Sequence, residues 1–298
     1  MLLPGDHLHC WLVPDQPVTT QQPTIPKQAA AFFDLDKTVI AKASLMAFSR
    51  QFYREGLLSR RNMASGLWAQ LLFLRFGADA ATLERLRHRV MRVIAGWEQE
   101  RVRRIVTDAV SQVIGPITYR EAVDLIKEHR AAGRRVYIVS AAPAEIVEPL
   151  ARHLGVEEAI ASRPAVSAGK YTGQMESYTF GPQKAETMRA VAARDGLDLA
   201  ASWAYSDSAT DVPMLEAVGH PVAVNPERAL RRIAHMRGWP VLRFSEPMVV
   251  TPEGGHPWRA GVAAVAIAAV AVALGLGAVF AIRSRDRWRR TAGSGRAS

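Results

Sequence analysis

Apolar residues recur along this chain in two rhythms. From 44 to about 116 they return every third or fourth position: Leu45, Phe48, Phe52 and Tyr53, then Leu67, Leu71, Leu72 and Phe76, then Leu83, Leu86, Val90, Val93 and Ile94, then Val102, Ile105, Val106, Val110 and Val113. That spacing lays an apolar stripe along one side of a helix and predicts four amphipathic helices in a small bundle. After 118 the rhythm changes. Helical spacing over 118–132, stopped by Gly133, is followed by a second apolar strand over 134–139, and a helix at 143–154 leads to a short strand near 159. A hairpin is expected around Tyr171, Thr172 and Gly173, then a helix over 183–194, a strand over 203–206, a helix over 212–218 and a strand over 221–224. Short buried strands alternating with helices predict an α/β fold, a doubly wound parallel sheet, with the helical bundle inserted after its first strand.

That first strand lies in 30–40, Ala-Ala-Phe-Phe-Asp-Leu-Asp-Lys-Thr-Val-Ile. Its apolar and aromatic run stops on two carboxylates, Asp34 and Asp36, with Thr38 close behind. Buried strands seldom end that way. In open α/β sheets ligands bind outside the carboxyl ends of the strands, so an acid pair there suits a nucleophile and a proton donor; the bland alternative is an acidic turn.

Further polar groups fall at strand ends and helix starts. Ser140 closes the strand ending at Val139 and precedes a helix beginning near Pro143, where a hydroxyl and free backbone N–H groups can hold a phosphate. Lys184 falls in the first turn of the helix that follows Gly181 and Pro182. Asp207 and Asp211, in Ser206-Asp207-Ser208-Ala209-Thr210-Asp211, follow the strand at 203–206 and offer oxygen ligands to a hard cation, or cap a helix.

Taken in order, these positions resemble the four motifs of the haloacid dehalogenase (HAD) superfamily of phosphohydrolases, over about 30–244, with the insertion at the cap position of the phosphoserine phosphatase-like subfamily IB. The resemblance implies that Asp34 is the nucleophile that becomes an aspartyl phosphate and Asp36 the acid that protonates the leaving oxygen and then activates water. It implies that Ser140 holds a phosphate oxygen and that Lys184 offsets charge on Asp34 and on the transferring group. Mg²⁺ is the implied cofactor, held by Asp34, the main-chain carbonyl of Asp36 and Asp207, with Asp211 orienting its waters. A cation-pump reading of Asp36-Lys37-Thr38 fails because those pumps continue Gly-Thr where this chain has Val39-Ile40. Dehalogenation has no use for an acid at Asp36.

The match has departures. Phosphoserine phosphatases place a glutamate nine residues after the nucleophile to bind the substrate ammonium, and Ala43 stands there in this chain. The last motif, usually Asp-Gly-x-Asn-Asp, keeps both carboxylates and alters what lies between. A phosphomonoester hydrolase is therefore expected, its substrate an anionic or lipid phosphate. The alternative is a membrane-tethered regulatory module with little turnover, against which the retention of all six site residues argues.

Charge changes the picture in two places. The chain of 298 residues has a net charge of +10, and residues 42–104 hold thirteen Lys/Arg against five Asp/Glu while 283–298 hold six Arg against one Asp. Such patches attract anionic lipid or nucleic acid; no alternation of aromatic and basic residues supports the latter, and nucleic acid is not an expected partner. Residues 260–282 carry no charged or polar side chain, with ten Ala and three Gly, and are long enough as a helix to cross a bilayer. The expected organisation is a disordered tail (1–28), a catalytic core (29–40 and 118–245), a helical cap (41–117), a linker (246–259), a transmembrane helix (260–282) and a basic tail (283–298). The lone Cys10 permits no internal disulfide and nothing at the start resembles a secretory signal, which points to a cytoplasmic catalytic domain. The arginines after 282 would place the tail there instead, so sidedness stays open.

Overall fold

In the computed structural model, residues 28–59, 80–156 and 158–247 are described, the side chains of 80–86 excepted. Strands β1 (Ala30–Asp34), β2 (Arg135–Pro143), β3 (Glu158–Ser167), β4 (Lys170–Ser177), β5 (Trp203–Ser206), β6 (His220–Val224) and β7 (Val241–Leu242) form one seven-stranded sheet in the order β4-β3-β2-β1-β5-β6-β7. All neighbours are parallel except β3 and β4, an antiparallel hairpin at one edge. The order reverses between β2, β1 and β5, so the carboxyl end of β1 is the switch point where such sheets place ligands.

The period of two along β1 divides the core. Ala31, Phe33 and Leu35 pack into one layer with Ile126 of α5 (Arg120–Ala131) and Ile146, Val147 and Leu150 of α6 (Ala144–His153). Ala30 and Phe32 face the other layer, with Met188 and Ala192 of α7 (Pro182–Asp195), Met214 and Leu215 of α8 (Val212–Leu215) and Leu230 and Ala234 of α9 (Arg228–Arg237). With both faces covered, central strands must be apolar throughout, which is why β1 reads as a continuous run. Phe33 stacks on Tyr205 at 4.3 Å and Phe32 on Tyr137 at 5.1 Å, tying β1 to each neighbour through one aromatic pair.

Between β1 and α5 lie α1 (Ser44–Ala47), α2 (Ser49–Arg54), α3 (Ala80–Ile94) and α4 (Gln99–Ile114). The first expected helix is thus two short ones, and the second, around 67–76, lies outside the described residues. Apolar residues of α4, Val102, Ile105 and Val106, join the same core layer as α6.

Three expectations need correction. The hairpin turn is not at 171–173 but at Ala168 and Gly169, both left-handed with φ of 49° and 75°, while Tyr171 to Gly173 lie inside β4. Gly173 serves a different purpose: a Cβ there would meet that of Ala95 at 3.1 Å, so glycine lets the end of α3 approach the strand. The strand near 159 extends to ten residues because half of it pairs with β4. The expected linker does not start at 246, since Glu246 and Pro247 are held against the start of α5 through the Arg120 N–H bond to Glu246 O and a bridge from Tyr119 to Pro247. The structure also adds α9 and β7, which the apolar spacing did not reveal. Among the described residues no helix is long and apolar enough to cross a membrane; 1–27 and the 260–282 run lie outside them.

Gly219, exposed and just before β6, is where two stretches of backbone come closest at a glycine among the described residues. A Cβ there would sit 1.8 Å from Ala200 O and 2.8 Å from its carbonyl carbon, and main chain cannot swing aside as a side-chain tip can. Gly219→Ala is expected to cost about 1–3 kcal/mol or more in a urea titration. An unchanged midpoint would contradict this packing. Because Gly219 lies at the amino end of β6, away from the carboxyl-end acids, activity at low temperature should survive.

Candidate active site

Strand register brings the acids together. Asp34 pairs with Val139 and Phe33 with Tyr205, so Ser140 on one side and Ser206 and Asp207 on the other lie within a step or two of Asp34 at the carboxyl end of the sheet. Beyond Asp34 the chain turns tightly: Val39 and Ile40 N–H groups both donate to Leu35 O, and Lys37 takes a left-handed φ of 63°. This turn buries Thr38, whose hydroxyl donates to Asp34 Oδ2 at 3.3 Å. Asp36 is fixed from the insertion, its Oδ1 accepting the Ser44 N–H at 2.8 Å.

Lys184 is 3% exposed and reaches across from the first turn of α7. Its Nζ donates to Asp34 Oδ1 at 2.5 Å and to Asp211 Oδ2 at 2.8 Å. Gly181, with a φ of 58° ahead of Pro182, makes the turn that starts this helix. Asp211 Oδ2 also accepts from the Ser206 hydroxyl at 2.7 Å, whereas its Oδ1 is buried with no partner among the described residues. The loop from 207 to 209 is closed by Glu227, which donates its N–H to Asp207 O and accepts from Ala209 N at 2.9 Å. Ser140 is buried, and its Oγ accepts from Ala142 N at 3.1 Å, which leaves the hydroxyl proton free to donate.

All six residues picked from the sequence therefore stand at one end of the sheet. Asp34, Lys184 and Asp211 are in direct contact; Asp36 and Asp207 are electrostatically coupled to Asp34; Ser140 touches none of them and is placed by register. Sequence reasoning did not pick out Ser44, Ser206 or Glu227. For Ser206 a signal existed, since it is the strand residue immediately before Asp207. Ser44 acts through its backbone and Glu227 through a loop contact, and neither leaves a mark in residue type.

Burial governs the electrostatics. It pushes the Asp34 carboxyl well above its ordinary range; Lys184 opposes this and Asp211, Asp207 and Asp36 add to it. Asp36 is also raised by burial, against its hydrogen bonding from Ser44 and the charges of Lys184 and Lys37. Asp207 is pushed up to about 7 by burial, with Asp211 and Glu227 adding and Lys37 and Lys184 opposing. Burial pulls the Lys184 ammonium down, but Asp34 and Asp211 outweigh it and the net shift is upward.

These observations fit a small hard cation. Asp34 and Asp211 share one buried ammonium, Asp36 and Asp207 add negative charge near Asp34, and the orphaned Asp211 Oδ1 can accept from a cation's water. Among the described residues no three His, Cys, Asp or Glu side chains converge as a metal-binding group. The protein's share of such a shell would be the Asp34 and Asp207 carboxylates and the Asp36 carbonyl, the few-ligand, largely hydrated state that Mg²⁺ favours.

Because Asp34, Asp36 and Asp207 titrate higher in the folded protein than in the unfolded chain, the metal-free fold holds protons that the unfolded chain has released. The contribution of these acids to stability should therefore fall as pH rises from about 4 to about 7, where Asp207 loses its proton, while His129, which burial pulls down to about 4, contributes in the opposite direction. Urea unfolding in EDTA at about pH 5 and about pH 7.5 would check this. Asp207→Asn should lose less stability between the two pH values than the wild type does, and an identical change in both would contradict the burial argument.

A family model described as haloacid dehalogenase-like hydrolase matches residues 31–216. A probable phosphatase of Mycobacterium tuberculosis is 46% identical over 261 residues, covering 85% of this chain and 91% of that protein. A phosphoserine phosphatase of the same organism is 32% identical over 226 residues, covering 75% and 73%. The crystal structure of a Bordetella pertussis protein of unknown function superposes with a TM-score of 0.64 at 31% identity, covering 72% of this chain and 98% of that one.

Proposed function

We propose that this chain, which belongs to the haloacid dehalogenase-like hydrolases, is a Mg²⁺-dependent phosphomonoesterase that carries the phosphoryl group on Asp34. The observation that supports this most is Lys184 Nζ bridging Asp34 and Asp211 in a buried setting. One fixed ammonium opposes the protonation that burial favours at Asp34, a bound Mg²⁺ would add to that opposition, and the same ammonium faces the phosphoryl oxygens as they gain negative charge.

The steps follow from the positions of the groups. Asp34 Oδ2, which among the described residues accepts only the long bond from Thr38, is the freer oxygen; it attacks phosphorus and the ester P–O bond breaks. The leaving oxygen takes a proton from Asp36, whose raised affinity for protons suits a donor near neutral pH. Asp36, now a carboxylate, takes a proton from water as that water attacks phosphorus; the Asp34–P bond breaks and phosphate leaves. Ser140 donates its hydroxyl to a non-bridging phosphate oxygen. A bound Mg²⁺ supplies charge neutralisation for Asp34 and the phosphate.

The substrate reading rests on sequence and neighbours together. Two relatives carry phosphatase names, one of them a phosphoserine phosphatase. Ala43 stands where an ammonium-binding glutamate is expected, and the residues near it in the insertion are basic. An anionic phosphomonoester, a lipid phosphate among them, fits that charge better than phosphoserine. Residues 260–282 would serve as a membrane tether for the catalytic domain, which then acts at a membrane surface on the cytoplasmic side.

Asp34→Asn keeps the shape and removes the nucleophile, so it should abolish turnover of p-nitrophenyl phosphate while leaving the melting temperature within a few degrees. Near-normal Mg²⁺-dependent turnover by that variant would falsify the assignment. Asp36→Asn should lower turnover by roughly 10²-fold or more. EDTA should stop the wild-type reaction, Mg²⁺ should restore it, and Asp207→Ala should raise the Mg²⁺ concentration required. Full activity of a metal-stripped sample would contradict the role given to Asp207.

A further inference from the structure

The last described residues run onto the catalytic side of the molecule and are held there. β7 is parallel to β6, so the chain leaves it at the carboxyl end of the sheet. Asn225 grips Phe244 from both sides, its Nδ2 donating to Phe244 O and its Oδ1 accepting Phe244 N, each at 3.0 Å. The Phe244 ring is buried in the core layer beneath the insertion and meets Tyr119 edge-on at 6.0 Å. The Glu121 carboxylate then accepts the N–H groups of Ser245 and Glu246 at 2.8 and 3.1 Å, while Arg120 N donates to Glu246 O at 2.8 Å. Pro247 bridges to Tyr119.

Tyr119 is also part of the active-site scaffold. Its N–H donates to Val39 O at 3.0 Å, in the turn that follows Asp36, and Ala41 N donates to Ile117 O at 2.7 Å, where the two ends of the insertion meet the core. The exit point at Pro247 is therefore one residue's hydrogen bonds away from the loop that carries the acid.

We propose that the carboxyl-end face of the sheet, with the insertion on it, is the face turned toward an anionic lipid bilayer, so that substrate reaches the site from the membrane plane. The inference rests on the reading of 260–282 as a tether, and the exit point adds the direction. Twelve residues, 248–259, separate Pro247 from that run, and twelve residues fully extended reach at most about 40 Å. A domain of this size has a radius of gyration of about 17 Å and is about 45 Å across. A chain rooted at the catalytic rim can bring that rim to the bilayer with slack to spare. To present the opposite end it would have to run the whole depth of the domain, which exhausts its reach.

Charge points the same way. Residues 42–104 carry a net +8, and Lys42, Arg50, Arg54, Arg89, Arg92 and Arg104 of the insertion are exposed. Each basic group near an anionic surface contributes about 1 kcal/mol to its attraction. Exposed Glu55, Glu98, Glu100 and Asp108 offset part of this without reversing it.

The test uses the full chain in nanodiscs of phosphatidylcholine and phosphatidylglycerol, with the single native cysteine removed as Cys10→Ser. A donor dye is placed either on the insertion through Arg50→Cys or, at the other end of the sheet, through Ala132→Cys in the exposed turn before β2; head-group acceptors report proximity. Energy transfer should be several-fold stronger from position 50 than from position 132. Equal transfer, the reverse order, or failure of the chain to associate with the discs would overturn the proposal. Glu121→Ala frees the root of the tether and should narrow the contrast; an unchanged contrast would remove the clip from the account. Turnover of p-nitrophenyl phosphate by the same samples is read separately: its absence would count against the phosphatase chemistry, not against the orientation.

Discussion

One buried ammonium holds the site together. Lys184 contacts Asp34 and Asp211 in a place from which water is nearly excluded, with Asp36 and Asp207 close enough to add their own repulsion. Without it, two carboxylates would be buried unpaired, a loss of about 3–5 kcal/mol for a broken buried pair, or would take up protons. In either case the nucleophile is lost. The same constraint explains the surrounding donors: Thr38 on Asp34, Ser206 on Asp211 and the Ser44 N–H on Asp36 each steady an anion that burial disfavours. It also explains why the cluster suits a cation, since one fixed positive charge does not balance four carboxylates.

The fold makes this arrangement inexpensive to position. Parallel strands place Asp34, Ser140 and Asp207 by register alone, and a single helix start, set by the left-handed Gly181 and by Pro182, delivers Lys184. Among the described residues, Asp36 is the site residue that the insertion holds directly, through the Ser44 N–H. The acid is thus the one catalytic candidate whose position is coupled to the element that would cover the substrate. The rim that holds Asp36 also holds the C-terminal exit through Tyr119, so three features that could have been scattered share one edge of the sheet.

Much of this was legible in the sequence, for physical reasons that differ by residue. Asp34, Asp207 and Asp211 could be read because carboxylates at the ends of apolar runs conflict with burial and so call for a function. Lys184 could be read only with the others, since a lysine in a first helical turn is ordinary by itself. The hairpin was misplaced because its turn uses Ala168 beside Gly169, whereas Gly173 drew attention for a role in packing against Ala95. Glu246 and Pro247 looked like linker because they are held through backbone groups by residues 119–121, which lie far from them along the chain. β7 is two residues long and α9 is strongly charged, so neither rose above its surroundings.

The central claim is that Asp34 carries the phosphoryl group in a covalent intermediate. It can be tested by mixing the Asp36→Asn variant with substrate and Mg²⁺, quenching in acid and reducing with borohydride, which converts an aspartyl phosphate to homoserine. Peptide mass spectrometry should then find homoserine at position 34, and only in the sample given substrate. Hydrolysis by the wild-type enzyme alongside an unmodified Asp34, or modification at another residue, would contradict the account.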